Sequence, residues 1–166
     1  HCRIYSATPR HRMFAIGGED KVGRHKRAAA TNLGGLLPEH RGPSPVAWAI
    51  RNGESEVGFT FHRMDAELDT GPILARGSAP LADEHSWDEL TPKLISLVGE
   101  LFPIALARVE AGDPGDPQEG EGRYEPFFER EYVWIDWTRS ALDIYRQVRV
   151  WRFASATGEP PGALAE

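Results

Sequence analysis

One cysteine, Cys2, stands among 166 residues, so no disulfide can close within the chain and a packed core has to hold it. The opening His1-Cys2-Arg3-Ile4-Tyr5 lacks the basic and then apolar layout of a secretory leader, and no apolar run is expected to approach the length of a spanning helix. A reducing, cytoplasmic setting is expected. Positive charge is also short: 19 Lys and Arg against 25 Asp and Glu leave a net charge of −6, which argues against a surface built mainly to hold nucleic-acid phosphates. There is no Gly-x-Gly-x-x-Gly, no phosphate loop, no metal-ligating cluster, no cysteine in a nucleophile's setting and no internal repeat. Gly17-Gly18 is too sparse for a phosphate nest.

What remains is a globular composition, 40% apolar and 27% charged, enough for one domain or one domain with a fragment of a second. The basic residues gather early, in Arg10, His11, Arg12, Lys21, Arg24, His25, Lys26 and Arg27, and read as a solvated cationic face, with an anion site as the alternative.

Arg3 to Pro9 reads as a short buried strand ending in a turn, and Leu36 to Gly42 as a loop. Pro45 to Arg51 reads as a short helix closed by Asn52-Gly53, a pair that tolerates positive φ. Glu56 to Met64 alternates, with Val57, Phe59 and Phe61 set against Thr60 and His62, so it is expected to be a half-buried strand with His62 on a solvated face. It delivers Asp65 to Gly71 as a loop, followed by a strand through Ile73, Leu74 and Ala75.

The clearest helix runs from Trp87 to Ala111. Ser86 and Glu89 form a capping box, and Leu90, Leu94, Leu97, Val98, Leu101, Ile104 and Val109 recur at helical spacing, with Pro92 and Pro103 expected to kink or interrupt it. Gly112 to Gly122 reads as an exposed connector. Val133 to Trp137 suits a strand or extended arm, and Thr138 is placed as the cap of a helix through Leu142, Tyr145, Val148 and Trp151.

Two segments carry a pattern with chemistry in it. Asn32-Leu33-Gly34-Gly35-Leu36-Leu37-Pro38-Glu39-His40-Arg41-Gly42 and, further on, Met64-Asp65-Ala66-Glu67-Leu68-Asp69-Thr70-Gly71 resemble the folate-dependent formyltransferases, nearest to their methionyl-tRNA formyltransferase branch. That pattern is Asn-x-His, a small pair, Leu-Leu-Pro, then Arg-Gly, and later Leu-Asp-Thr-Gly. The resemblance implies an α/β fold, a formyltransferase-type open twisted sheet of Rossmann-like kind, here incomplete in its N-terminal half because only Arg10 to Thr31 separate the first strand from the motif and one βαβ unit takes about 30 residues. It implies a catalytic core over 1–112, a linker over 113–132, and over 133–166 a bridging helix leading toward a truncated C-terminal β-barrel that Pro160 to Ala163 would begin.

By the same resemblance, 10-formyltetrahydrofolate is the formyl donor and a primary amine the acceptor: methionyl-tRNA, an amino sugar or a small hydroxylated amine. Asn32 and Asp69 are the expected catalytic residues. Gly35, Leu36, Leu37, Pro38, Glu67, Leu68 and the backbone of Asp69 are expected to line the folate slot. Arg41 is expected to hydrogen-bond a neighbouring loop and Gly42 to make a turn.

One member of the pattern is absent. Gly34 occupies the place of the histidine, and the interval to Pro38 is one residue short; a single histidine inserted after Leu33 would repair both departures. His40, expected at the surface, and His62 are the nearest other imidazoles in the sequence, and neither is expected to serve as the base. A non-catalytic folate-binding relative is therefore the second reading.

Overall fold

The computed structural model describes the backbone of residues 3–7, 13–19, 25–154 and 163–165, and the side chains of 35–129, 131–151 and 163–165. Five strands, β1 (Arg3–Ala7), β2 (Met13–Glu19), β3 (His25–Gly34), β4 (Glu56–His62) and β5 (Ile73–Pro80), lie in chain order in one sheet. Every neighbouring pair is antiparallel. The described strands thus form a meander, and no parallel Rossmann-like crossover occurs among them. The connections β1–β2, β2–β3 and β4–β5 are shorter than the dozen residues a parallel crossover takes, whereas β3 and β4 pair antiparallel across a longer link that holds a helix. The basic cluster expected near the N-terminus lies outside the described side chains.

Helix α1 (Pro45–Asn52) takes Pro45 into its first turn and ends on Gly53 at φ 71°, the left-handed cap that Asn52-Gly53 foretells. The Gly53 and Glu54 amides then close the end on the carbonyls of Ile50 and Ala49. Helix α2 (Trp87–Glu110) begins with the expected capping box: Ser86 Oγ accepts from the Glu89 amide, and the Glu89 carboxylate accepts from the Ser86 amide at 2.8 Å. It continues unbroken through Pro92 and Pro103. Its buried stripe, Leu90, Leu94, Leu101 and Ala105, lies across β4 and β5, where Leu101 and Ala105 meet Phe59, Phe61, Leu74 and Ala75. This packing holds the helix in place despite the two prolines. By length and composition α2 is also apolar enough to span a membrane, which the scattered acids of its sequence concealed.

A second core joins α1, α2 and α3 (Ala141–Ala154) through Ile50, Val57, Leu81, Leu90, Leu94, Val150 and Trp151. Ser140, rather than Thr138, caps α3: its Oγ accepts from the Asp143 amide at 3.1 Å, while Thr138 is engaged with Asp136. A single 3-10 turn over Arg130–Val133 stands where a strand or extended arm is expected to start, and Trp134 pairs in strand fashion with Leu164. Gln147 and Trp151 of α3 both donate to the Tyr132 carbonyl and fasten this turn to the helix.

The stretch 113–126 is less free than a connector. Asp116 exchanges two backbone hydrogen bonds with Ile73 at the start of β5, and Arg41 exchanges two with Arg123 and Glu125. An extended segment of mixed polarity lies down along the site loops because their unpaired amides and carbonyls require partners.

A candidate active site over strand β4

β4 is buried on both faces, not one: all residues from Val57 to His62 are buried. The apolar set packs under α2, while the opposite set is roofed by Gly35 to Pro38. Gly58 makes the roof possible, because a Cβ there would stand 2.1 Å from Leu36 Cδ2. Thr60 Oγ1 then donates to the Gly35 carbonyl at 2.8 Å and accepts from the Leu37 amide at 3.3 Å, fixing the loop to the strand. Leu37 is sealed beneath, Leu36 and Pro38 are half-buried, and Arg76 of β5 donates to the Leu37 carbonyl.

The Asp65–Gly71 loop leaves β4 and folds back beside this roof. Its ends are closed by the Arg63 amide on the Pro72 carbonyl, 2.8 Å, and Gly71 is required there because a Cβ would lie 1.8 Å from the Arg63 oxygen. Inside the loop, Asp65 Oδ1 accepts from the Glu67 amide and from Thr70 Oγ1. Glu67 and Leu68 are exposed, Leu68 at 47%.

Asp69 turns inward. It adopts φ 57°, a conformation a non-glycine residue takes at some cost, and it is 7% exposed. Its Oδ2 accepts from the Gly42 amide at 3.0 Å. Its carbonyl and that of Gly71 both accept from Gln118 Nε2, at 2.9 and 2.8 Å, and Gln118 Oε1 in turn accepts two hydrogen bonds from Arg41. Arg41 therefore reaches the neighbouring loop as expected, with Gln118 as the intermediary. Gly42, at φ 125°, is pressed against the Glu125 carbonyl, where a Cβ would approach to 2.2 Å.

Two histidines lie where the sequence does not place them. His62 is 2% exposed, and its Nε2 points at Asp69 Oδ1, 3.4 Å away. Its Nδ1 is 2.9 Å from the Arg63 carbonyl and must carry a proton to bond there, which leaves Nε2 facing the carboxylate without a hydrogen bond of its own. The solvated face expected for His62 is removed by the Asp65–Gly71 loop. His40 is likewise buried, 6% exposed, between Glu125 Oε2 at 2.5 Å from Nδ1 and Glu54 Oε2 at 2.6 Å from Nε2. Burial opposes its charge, but the hydrogen bonds and charges of the two carboxylates outweigh that and raise its pKa above the usual 6.5.

Asn32 is known by its place in the ladder: it pairs with Thr60, and Ala30 pairs with His62. Gly34, in the histidine's position, pairs with Gly58. The roof loop, the Asp65–Gly71 loop and Gln118 thus gather around Asp69. No group of three or more potential metal ligands occurs among the described residues. Sequence reasoning missed Gln118, which sits in a connector without a motif, and Thr60; the signal for His62 was its place one residue past the buried Phe61, at the mouth of the Asp65–Gly71 loop.

A buried carboxylate fixed by a backbone amide, faced by an imidazole and set beside a half-exposed apolar loop is suited to moving protons during group transfer. The family model for formyl transferase matches residues 26–106. The chain is 38% identical over 127 residues to the methionyl-tRNA formyltransferase of Synechococcus sp. (strain JA-2-3B'a(2-13)), a match covering 75% of this chain and 39% of that protein. It is 40% identical over 116 residues to the methionyl-tRNA formyltransferase of Koribacter versatilis, covering 69% and 37%.

Among solved structures, HypX from Aquifex aeolicus in complex with tetrahydrofolic acid superposes with a TM-score of 0.65 at 26% identity, over 82% of this chain and 23% of that one. The N-formyltransferase from Helicobacter canadensis, in complex with folinic acid and dTDP-3-aminofucose, shares the fold at a TM-score of 0.67 and 21% identity, over 79% and 49%. The chain belongs to the formyl transferase family and has a formyltransferase-like α/β fold. It spans under two fifths of the length of the two curated relatives named above.

Proposed function

We propose that this chain carries the transfer site of an enzyme that moves a formyl group from 10-formyltetrahydrofolate to a primary amine, with methionyl-tRNA as the first acceptor to test. The observation behind this reading is the state of Asp69: a buried carboxylate in a left-handed backbone conformation, held by the Gly42 amide through its side chain and by Gln118 through its carbonyl. Strain and desolvation of this kind are retained where a charge has a task.

The folate donor supplies an activated formyl carbonyl on which negative charge develops as the amine attacks. In this reading the Asn32 amide donates to that oxygen, and Asp69 orients the amine and receives its proton. Gly35 to Pro38 form one wall of the folate slot, and Glu67, Leu68 and the Asp69 backbone form the other. The residues suit such a donor: Leu36 and Leu68 present apolar surface to a flat ring, and the adjoining loop backbone offers amides and carbonyls to its polar edge.

The identity of relatives favours methionyl-tRNA, and an amino sugar is the alternative acceptor, by analogy with the Helicobacter canadensis protein. Gly34 in place of the histidine supports a second reading, a relative that binds folate without turnover. Both are decided by one assay. Purified chain is mixed with 10-formyltetrahydrofolate and either methionyl-tRNA or a nucleotide-linked amino sugar, and tetrahydrofolate release is followed. Turnover that falls about 10²-fold or more in Asp69→Asn supports the transferase. Binding of folinic acid with no turnover on either acceptor replaces it with the binder.

A further inference from the structure

Gly34 leaves the motif without its histidine, yet another imidazole faces Asp69. We propose that His62 supplies the imidazole of this site, acting through Asp69 as a positioning residue that shares the proton Asp69 takes from the attacking amine. The inference rests on the formyl-transfer reading above and names the group that completes it.

Three observations carry it. His62 is 2% exposed, yet its Nε2 has no hydrogen bond, a state that costs stability in a buried polar atom unless something recovers it. That atom is aimed at Asp69 Oδ1, 3.4 Å away, close enough for charge sharing and long for a settled hydrogen bond. The other carboxylate oxygen is held by the Gly42 amide and the other ring nitrogen by the Arg63 carbonyl, so the ring and the carboxylate are each anchored while the contact between them is left long. A catalytic pair that tightens when its reactants arrive has this form.

The chemistry balances without an added reagent. The amine nitrogen bonds to the formyl carbon, and the bond from that carbon to N10 of the folate breaks. The proton lost by the amine passes to the Asp69–His62 pair and leaves on N10 of tetrahydrofolate. A lone carboxylate is too weak a base to hold that proton near neutral pH, whereas an imidazole beside it is suited to do so. His40 offers no substitute, because both of its nitrogens are engaged by Glu125 and Glu54.

The test joins spectroscopy to kinetics. The ring-nitrogen resonances of His62 are compared by nitrogen-15 NMR in the unaltered chain and in Asp69→Asn, and turnover is followed against pH in His62→Gln and His62→Asn. The proposal expects the Nε2 resonance to move in Asp69→Asn more than that of Nδ1, and turnover to fall about 10²-fold in both His62 variants with its pH dependence altered. Folinic acid affinity should change less than about threefold, which shows that a variant is folded. An unmoved Nε2 resonance overturns the pairing, and full turnover with an unchanged pH profile in either variant overturns the role. If the unaltered chain turns over no amine at all, the formyl-transfer reading fails first and takes this role with it.

Discussion

His40→Asn tests how the roof loop is held. The imidazole joins three elements: its own loop, Glu54 beyond the end of α1, and Glu125 on the segment laid along the site. Glu125 is 2% exposed, its Oε1 has no hydrogen bond, and the nearest other cation is Arg123, 3.5 Å away on a side chain 67% exposed. Asparagine accepts the left-handed conformation that His40 adopts at φ 58°, so the substitution removes the ring without adding backbone strain. Leaving a buried carboxylate without its partner costs about 3–5 kcal/mol, a large share of the roughly 5–15 kcal/mol that holds a domain of this size.

The sign with pH follows from the raised pKa. A histidine whose folded value lies above 6.5 stabilises fully below 6.5 and loses that contribution as pH rises through the folded value. Urea denaturation should therefore show the gap between the unaltered chain and His40→Asn at its widest below about pH 6.5 and narrowing as the pH rises through the raised folded value. The double variant His40→Asn with Glu125→Gln, which removes the orphaned charge, should recover about half of the loss or more. A gap that widens with rising pH, or a double variant no more stable than the single, refutes the clasp.

Three further outcomes are expected. Gly71→Ala, whose methyl would meet the Arg63 oxygen at 1.8 Å, should destabilise the chain by about 1–3 kcal/mol in a thermal melt and weaken folinic acid binding, because the loop closes only without a Cβ. Gln118→Ala frees the Asp69 and Gly71 carbonyls and the Arg41 fork together; a loss of about 1–2 kcal/mol is expected, with folinic acid affinity down by more than the melt alone accounts for. Inserting histidine after Leu33 should raise turnover by about 10²–10⁴ if the site works at present without a direct base, and by little if His62 already serves. Single-turnover rates separate the two.

Local signals were legible and long-range ones were not. Asn52-Gly53 announced a left-handed helix end, and Ser86 with Glu89 announced the start of α2, because each signal is spent within one turn of chain. The Arg-Gly and Leu-Asp-Thr-Gly segments marked two of the loops around Asp69 by resemblance. Thr138 and Ser140 are both good cap residues two positions apart, and the cap falls to Ser140 because the Asp136 carboxylate claims Thr138 from outside the helix.

The histidines show where a period-two pattern stops informing. Alternation in β4 correctly sets His62 and Thr60 opposite Phe59 and Phe61, but it says nothing of what lies over that second face. The cover comes from segments on either side: Leu36, admitted by the missing side chain of Gly58, and Asp69, carried back by a loop that only glycine at position 71 allows to close. His40 is decided at longer range still, since Glu125 lies 85 residues away on a stretch whose Gly, Pro and acid content reads as solvent-exposed. What converts that stretch into part of the site is the demand of unpaired backbone at Arg41 and Ile73, which each find two hydrogen bonds there. Glycine in this chain thus carries more positional information than its hydrophobic pattern does, because Gly42, Gly58 and Gly71 each mark a close approach that brings a roof, a turn or a carboxylate onto β4. Substituting any of the three should disturb the surroundings of Asp69 before it disturbs the helices.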